Sequence, residues 1–303
     1  MITRLSAGLV VGLALLASLP AGSSSRPAVF PGKNGKIVFP AGKNIGTLDE
    51  RPSGFYTVTP GGRQVRQLLT WRPNREGPSG VQWSPDGREI VFIGDCGVAI
   101  ARADGTHRKC VGVNGFYPSW SPDGSRLVLE RNVPGAYTLR IVTRGGRLLT
   151  TIPIAVGFPA NLAWSPLGDR IAFEVEGSIY AIRPDGTALE RLTTGLDSQP
   201  NWSPDGRRIL FARRDYELWL MNADGTNQQK LLNVRRVPDA PDDAAAGVVW
   251  SPDGTKIAIS SPGARSISIY TLRRRTRKTI QLRLPRGVVV SWNERLDWQP
   301  IRR

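Results

Sequence analysis

The sequence predicts an all-β fold: a six-bladed β-propeller of four-stranded antiparallel blades, its ring closed by the C-terminal strand joining the N-terminal blade. Three observations carry this. The phrase WSPDG stands at 83–87, 120–124, 202–206 and 250–254, with a damaged copy, WSPLG, at 164–168 and a remnant, WQP, at 298–300. Its tryptophans, Trp83, Trp120, Trp164, Trp202, Trp250 and Trp298, are separated by 37, 44, 38, 48 and 48 residues. Periods of 20–50 residues belong to solenoids, propellers and arrays. Finally, the chain opens on a unit that lacks its WSPDG strand and closes on a WSPDG-like strand that lacks a unit, so the two ends complement each other.

Taken in order, residues 1–24 read as a secretory signal peptide. Arg4 supplies the positive start, Ala7–Leu19 is a mostly apolar run of 13 residues, and Pro20–Ser25 are small or turn-forming. The run is short for a membrane span, and the absence of a nearby cysteine argues against a lipid anchor. Residues 25–34 are a linker and 35–300 the propeller. An exported, periplasmic or extracellular protein follows, with cell-wall association open to it. Cys96 and Cys110, 14 residues apart, form a candidate disulfide in that oxidising setting. Their spacing is wrong for a redox pair, and a zinc site would want more ligands than one histidine and two cysteines offer.

Within a unit, Trp202–Gly225 sets the pattern. Ile209–Phe211 and Leu218–Met221 are short apolar strands, and Asn222–Gly225 is a turn. Ile90–Phe92, Leu127–Leu129, Ile171–Phe173 and Ile257–Ile259 repeat the first of these. In the SPDG turn, proline presets φ, the carboxylate accepts backbone N–H groups and glycine permits positive φ. Asp86, Asp123, Asp205 and Asp253 therefore read as structural, and Leu167 in the damaged copy shows that the turn survives loss of the acid. The six tryptophans read as buried anchors between neighbouring sheets.

With these motifs in place, the chain resembles the six-bladed propeller family typified by the C-terminal domain of TolB. The resemblance rests on the WSPDG copies, IVF at 90–92, ILF at 209–211, LWLMNADGT at 218–226 and the LT pairs at 69–70 and 192–193. It covers about Gly35 to Pro300 and implies the propeller fold. It carries little about activity, because one fold hosts many functions. Ten residues separate signal and propeller, so no segment matches the N-terminal domain through which TolB contacts partners.

Catalysis finds few candidates. His107 follows an ADGT turn and reads as a surface residue, and no G-x-S-x-G elbow occurs. The reading is a non-catalytic propeller, expected as a monomer without a cofactor or metal. It binds an envelope or extracellular protein, a peptide or an anionic glycan through one face or the channel mouth. The alternative is a small extracytoplasmic hydrolase or lyase with its site at the channel.

Counting back from each tryptophan places Phe116, Tyr117, Asn161, Asp197, Gln199, Glu294 and Arg295 around the channel mouth. Trp71 is a further candidate for an exposed partner surface. The net charge of +16 favours anionic partners, and export argues against nucleic acid. Arg273, Arg274 and Arg275, within RRRTRK at 273–278, are expected in an exposed hairpin turn suited to an anionic polymer.

Overall fold

The computed structural model describes residues 32–43, 53–71, 79–133, 135–214, 217–234, 247–260, 265–291 and 295–301. The signal segment and Glu294 lie outside them. Six antiparallel sheets follow one another along the chain. The second blade holds Ser79–Trp83, Glu89–Gly94, Gly97–Arg102 and Lys109–Cys110. The third holds Phe116–Trp120, Arg126–Val133, Ala136–Thr143 and Leu148–Ile154. The fourth holds Ala160–Trp164, Ile171–Val175, Ser178–Ile182 and Glu190–Arg191. The fifth holds Asp197–Trp202, Arg208–Arg213, Glu217–Asn222 and Gln229–Asn233. The sixth holds Val248–Trp250, Lys256–Ser260, Ser266–Thr271 and Thr276–Gln281. In each, strand order runs from channel to rim in sequence order.

The first blade is assembled from both ends of the chain. Lys33–Lys43 pairs with Gly54–Val58, which pairs with Arg66–Thr70. Along its other edge, Lys33–Val38 pairs with Asp297–Ile301, setting Ile37 opposite Trp298. The C-terminal strand thus supplies the innermost strand. One addition was not expected: Val288–Val290 pairs with Ala41–Lys43 on the same edge. Lys33–Lys43 is 11 residues long and extends past the terminal strand, leaving main-chain groups for the second segment to satisfy.

The core lies between blades. Six buried clusters occupy the six interfaces, and each contains one repeat tryptophan. Trp202 joins Ala163, Ile179 and Leu192 of the fourth blade to Ile209 and Phe211 of the fifth, and its Nε1 donates to Ala163 O at 3.0 Å. Trp298 joins the sixth blade to the first, its Nε1 donating to Gly35 O at 3.1 Å. The Nε1 groups of Trp83, Trp120 and Trp250 are buried without an acceptor among the described residues. Burial of the ring is therefore what all six share.

The SPDG turns close as their chemistry dictates. Ser203 Oγ donates to Asp205 Oδ1 at 2.6 Å, Arg207 N donates to the same oxygen at 3.1 Å, and Gly206 N donates to Ser203 O at 2.8 Å. Asp86, Asp123 and Asp253 each accept the equivalent serine hydroxyl. Gly87 has a φ of 68°, and a Cβ there would fall 1.9 Å from Pro300 O, so both conformation and space demand glycine. Without its acid, the 164–168 copy keeps the Gly168 N to Ser165 O bond at 2.9 Å. Leu167 instead packs over Gly206 of the next turn.

Cys96 and Cys110 form a disulfide between the turn after Glu89–Gly94 and the outer strand of the second blade. Trp71 departs from expectation: it is buried, 8 % exposed, rather than presented on a face. Trp71 directly follows Arg66–Thr70, and its ring packs on the second blade, meeting Phe92 edge-on at 6.2 Å. The Arg108 guanidinium covers the ring at 4.3 Å. Trp71 is core, and its neighbours Arg72 and Pro73 made it read as surface.

We predict that Trp202→Ala costs about 3–5 kcal/mol, whereas Asp205→Leu costs about 1 kcal/mol, because the fourth blade's turn already folds with leucine. Denaturant unfolding of the two variants checks this, and equal losses would contradict the division of labour.

Candidate functional site

The innermost strands run from a mouth end, where they begin, to a turn end, where the WSP residues lie. At the turn end, a cavity of about 110 Å³ is walled by the six repeat tryptophans and the prolines that follow the WS pairs. At the mouth end, a cavity of about 280 Å³ is lined by residues that include Phe116, Tyr117, Asn161 and Arg295. Gln82, Asn201 and Asp297 border both and form a polar waist between them.

The waist comes from the residue before each tryptophan. Trp120 N donates to Gln82 Oε1 at 2.9 Å, Trp164 N to Ser119 Oγ at 3.0 Å, and Trp250 N to Asn201 Oδ1 at 3.4 Å. Trp83 N donates to Asp297 Oδ2 at 2.6 Å. Each bond ties one blade to the next around the channel. Ala163 and Val249 occupy the same position in the remaining two blades and have no side-chain acceptor. Sequence reasoning passed over this belt. Its signal was a polar residue recurring immediately before the anchor, in a strand otherwise facing the core.

Three residues before the tryptophan, the innermost strand carries a β-bulge in four blades. The bulged residue has left-handed φ: 62° at Gly80, 50° at Tyr117, 54° at Asn161 and 53° at Gln199. Three of these are not glycine. Such strain persists only where the surroundings hold it, and it clusters at functional sites.

Here the holding groups are visible. Asn161 Nδ2 donates to Glu174 Oε2 at 2.9 Å, and Gln199 N donates to the same oxygen at 3.3 Å. Arg295, from the first blade, spans the channel to the opposite wall. Its Nη1 donates to Leu162 O at 2.9 Å and its Nη2 to Asn161 O at 2.6 Å, with Pro200 O at 3.5 Å. Arg295 is therefore a strut that floors the mouth cavity.

Burial governs the charges. It lowers Arg295 to about 10, opposed by Glu174, Tyr117 and Asp297, so the guanidinium stays charged at neutral pH. It raises Asp297 to about 7, opposed by the Trp83 and Trp298 amides and by Arg295. Both side chains keep some contact with the channel lumen while protein surrounds them on every other side. Glu130 occupies the register position of Glu174 one blade earlier. It is fully buried, its two oxygens lack a hydrogen-bond partner among the described residues, and burial pushes it to about 7.

The mouth thus gathers Phe116, Tyr117, Asn161 and Arg295 as expected. It does not gather Asp197. That residue sits opposite Arg213 in the strand register, and its fully buried carboxylate takes both guanidinium contacts, at 2.6 and 3.0 Å. The innermost strand of the fifth blade starts early enough to pair this residue into the sheet. Gln199 is also buried, 5 % exposed, with its backbone N–H donating to Glu174. Two apolar residues were missed. Phe158 packs edge-on against Tyr117 and Tyr137, at 6.4 and 5.8 Å, and Leu196 is 70 % exposed just before the fifth blade. His107 is exposed beside its ADGT turn, its Nδ1 2.9 Å from Thr106 Oγ1. Arg273–Arg275 are exposed in the hairpin between Ser266–Thr271 and Thr276–Gln281. Among the described residues, no three His, Cys, Asp or Glu side chains gather as a metal set, and no helix is long and apolar enough to cross a membrane.

These features define a ring-closed six-bladed propeller with a braced channel. The fold is of the TolB-like kind. No protein-family model matches the chain. A TolB homolog of Chlorobium luteolum is 32 % identical over 99 residues, 31 % of this chain and 22 % of that protein. The match thus spans about a fifth of the relative's length. The crystal structure of TolB from Acinetobacter baumannii superposes with a TM-score of 0.69 at 17 % identity, covering 89 % of this chain and 68 % of that one. A chain of a nidogen/laminin complex gives 0.66 at 10 % identity, covering 89 % of this chain and all of its own length.

Two predictions follow from the strut and the buried acids. Replacing Arg295 with methionine leaves carbonyls at the bulges without donors and costs about 2–3 kcal/mol, read by denaturant unfolding. Native Asp297 and Glu130 hold protons to about pH 7, whereas unfolded carboxyls release them near pH 4. Their contribution is full below about pH 4 and is lost as pH rises through about 7. The double variant Asp297→Asn, Glu130→Gln is therefore expected to lose less stability than the parent between about pH 5 and pH 8. Parallel stability profiles would refute it.

Proposed function

We propose that the chain is an exported, non-catalytic propeller that captures an extended segment of a partner protein at the channel mouth. One observation carries this: the mouth presents apolar groups outward while its polar groups are committed inward. Phe116 is 52 % exposed and Leu196 70 % exposed, and Phe158 is 39 % exposed. They stand at the start of three consecutive innermost strands. Exposed aromatic and aliphatic anchors above a cavity are the usual energetic centre of a protein interface. Arg295 and Asp297 are held by main-chain groups, and Asn161 by Glu174. An enzyme at the channel would need those same groups for substrate. Similarity to TolB, named in one relative as part of the Tol-Pal system, supports a binding role in the cell envelope, as does the signal-like start of the sequence.

The test places a photo-reactive residue at 116 or 196 in cells of the source organism. Cross-linking to a polypeptide is expected at both positions, and not at Leu149 on the outer strand of the third blade. Against the partner so captured, Phe116→Ser with Leu196→Ser is expected to weaken binding about tenfold or more. Equal cross-linking at 149, or unchanged affinity, would overturn the reading.

A further inference from the structure

A second surface lies on the rim of the sixth and first blades, away from the mouth. Residues 265–291 carry eight Lys or Arg and residues 53–71 carry two, and neither stretch contains an Asp or Glu. Nine of these cations are exposed: Arg63, Arg66, Arg273–Arg275, Arg277, Lys278, Arg283 and Arg286. The two stretches meet in space. Ile280 on the outer strand of the sixth blade lies against Gly62 of the first, where a built Cβ would be 2.4 Å from Ile280 Cγ2, and Val65 packs on the cluster that contains Ile280.

Elsewhere, some cations pair with acids, as in Arg213–Asp197, Arg170–Glu190, Arg144–Glu89 and Lys230–Glu217. Among the described residues, no ion pair involves a cation of this band. The backbone under it is held in place: the tenth cation, Arg265, donates to the carbonyls of Leu284, Pro285 and Val288, fixing the stretch that bears Arg283 and Arg286.

Charge on an outer strand also guards against edge-to-edge association, but one or two charges serve that purpose. The outer strand of the third blade, Leu148–Ile154, does without any. Here the cations run beyond the edge strand in both directions and onto a second blade.

We infer that this band is a binding surface for a linear polyanionic glycan. Thr276–Gln281 presents an extended edge about 20 Å long, which suits a linear chain. Guanidinium groups pair with carboxylate and sulfate in forked geometry. Single-stranded nucleic acid would call for exposed aromatic platforms, whereas Phe55, Tyr56, Trp71 and Tyr270 are all buried. Membrane insertion would call for exposed apolar side chains, whereas Ile280, Leu282 and Leu284 face the core.

The inference is independent of the mouth reading, and its test separates the two. The probe is immobilised heparin. The purified chain is expected to bind it and to lose about tenfold in affinity between about 0.05 and 0.3 M NaCl. The variant Arg273→Glu, Arg275→Glu, Arg277→Glu is expected to weaken binding about tenfold or more. A charge-matched variant on other blades, Arg88→Glu, Arg183→Glu, Arg207→Glu, is expected to stay within about threefold of the parent. Phe116→Ser with Leu196→Ser leaves heparin binding unchanged, so failure of one proposal does not mimic failure of the other. Circular dichroism confirms that each variant is folded. Salt-insensitive or absent binding, equal losses in the two triple variants, or tighter binding to single-stranded DNA or phosphatidylglycerol vesicles than to heparin would each overturn it.

Discussion

Each blade of this propeller has apolar side chains on both faces of a thin sheet and cannot bury them alone. The six interfaces between blades are where that surface leaves water, and one tryptophan sits in each. Every other regularity follows from this arrangement. Sister units must resemble one another, because each has to fit the neighbours on both sides. The turn after the tryptophan must be tight, because at Gly87 the adjacent strand's carbonyl approaches too closely for any side chain. The ring must also close, since an open array would expose two apolar faces. The pairing of Lys33–Val38 with Asp297–Ile301 performs that closure, and Trp298 seals the last interface.

Packing between blades leaves the channel as a narrow, mostly polar space, and two devices brace it. The belt of residues preceding the tryptophans links neighbouring blades, and Arg295 links opposite ones. Both are made of polar groups in confined surroundings, where a satisfied network confers rigidity and a broken one is costly. A mouth whose floor is fixed in this way can present Phe116 and Leu196 with little reorganisation on binding. The basic band belongs to a different part of the molecule and depends on the opposite quality, cations without an acid partner among the described residues.

Much of this was legible in the sequence because repetition multiplies a weak signal. Four intact WSPDG copies, one damaged and one truncated, fixed the blade count, the turn chemistry and the closing strand. Phe116, Tyr117, Asn161 and Arg295 could be placed at the mouth by counting back from each anchor. Counting failed where register or path differed from unit to unit. Asp197 lies five residues before its tryptophan, one further back than any other candidate, and its partner across the strand pair is Arg213, which draws it into the sheet. Trp71 lies in what reads as a linker, yet its ring packs on Phe92 of the second blade. Phe158 and Leu196 lie in variable connections that the repeat does not describe.

By itself, then, the sequence determined the period, the anchors, the turns and the way the ring closes, because these depend on local chemistry repeated at fixed spacing. Only the tertiary structure decided which side chains meet across the channel and which cations, among the described residues, stand without an acid partner. Arg295 reaches Leu162 and Asn161 three blades away, and Arg63 and Arg66 join the Arg273–Lys278 hairpin across the seam between the chain's two ends. Such contacts are set by closure of the ring, which brings distant segments together without leaving a mark in either segment alone.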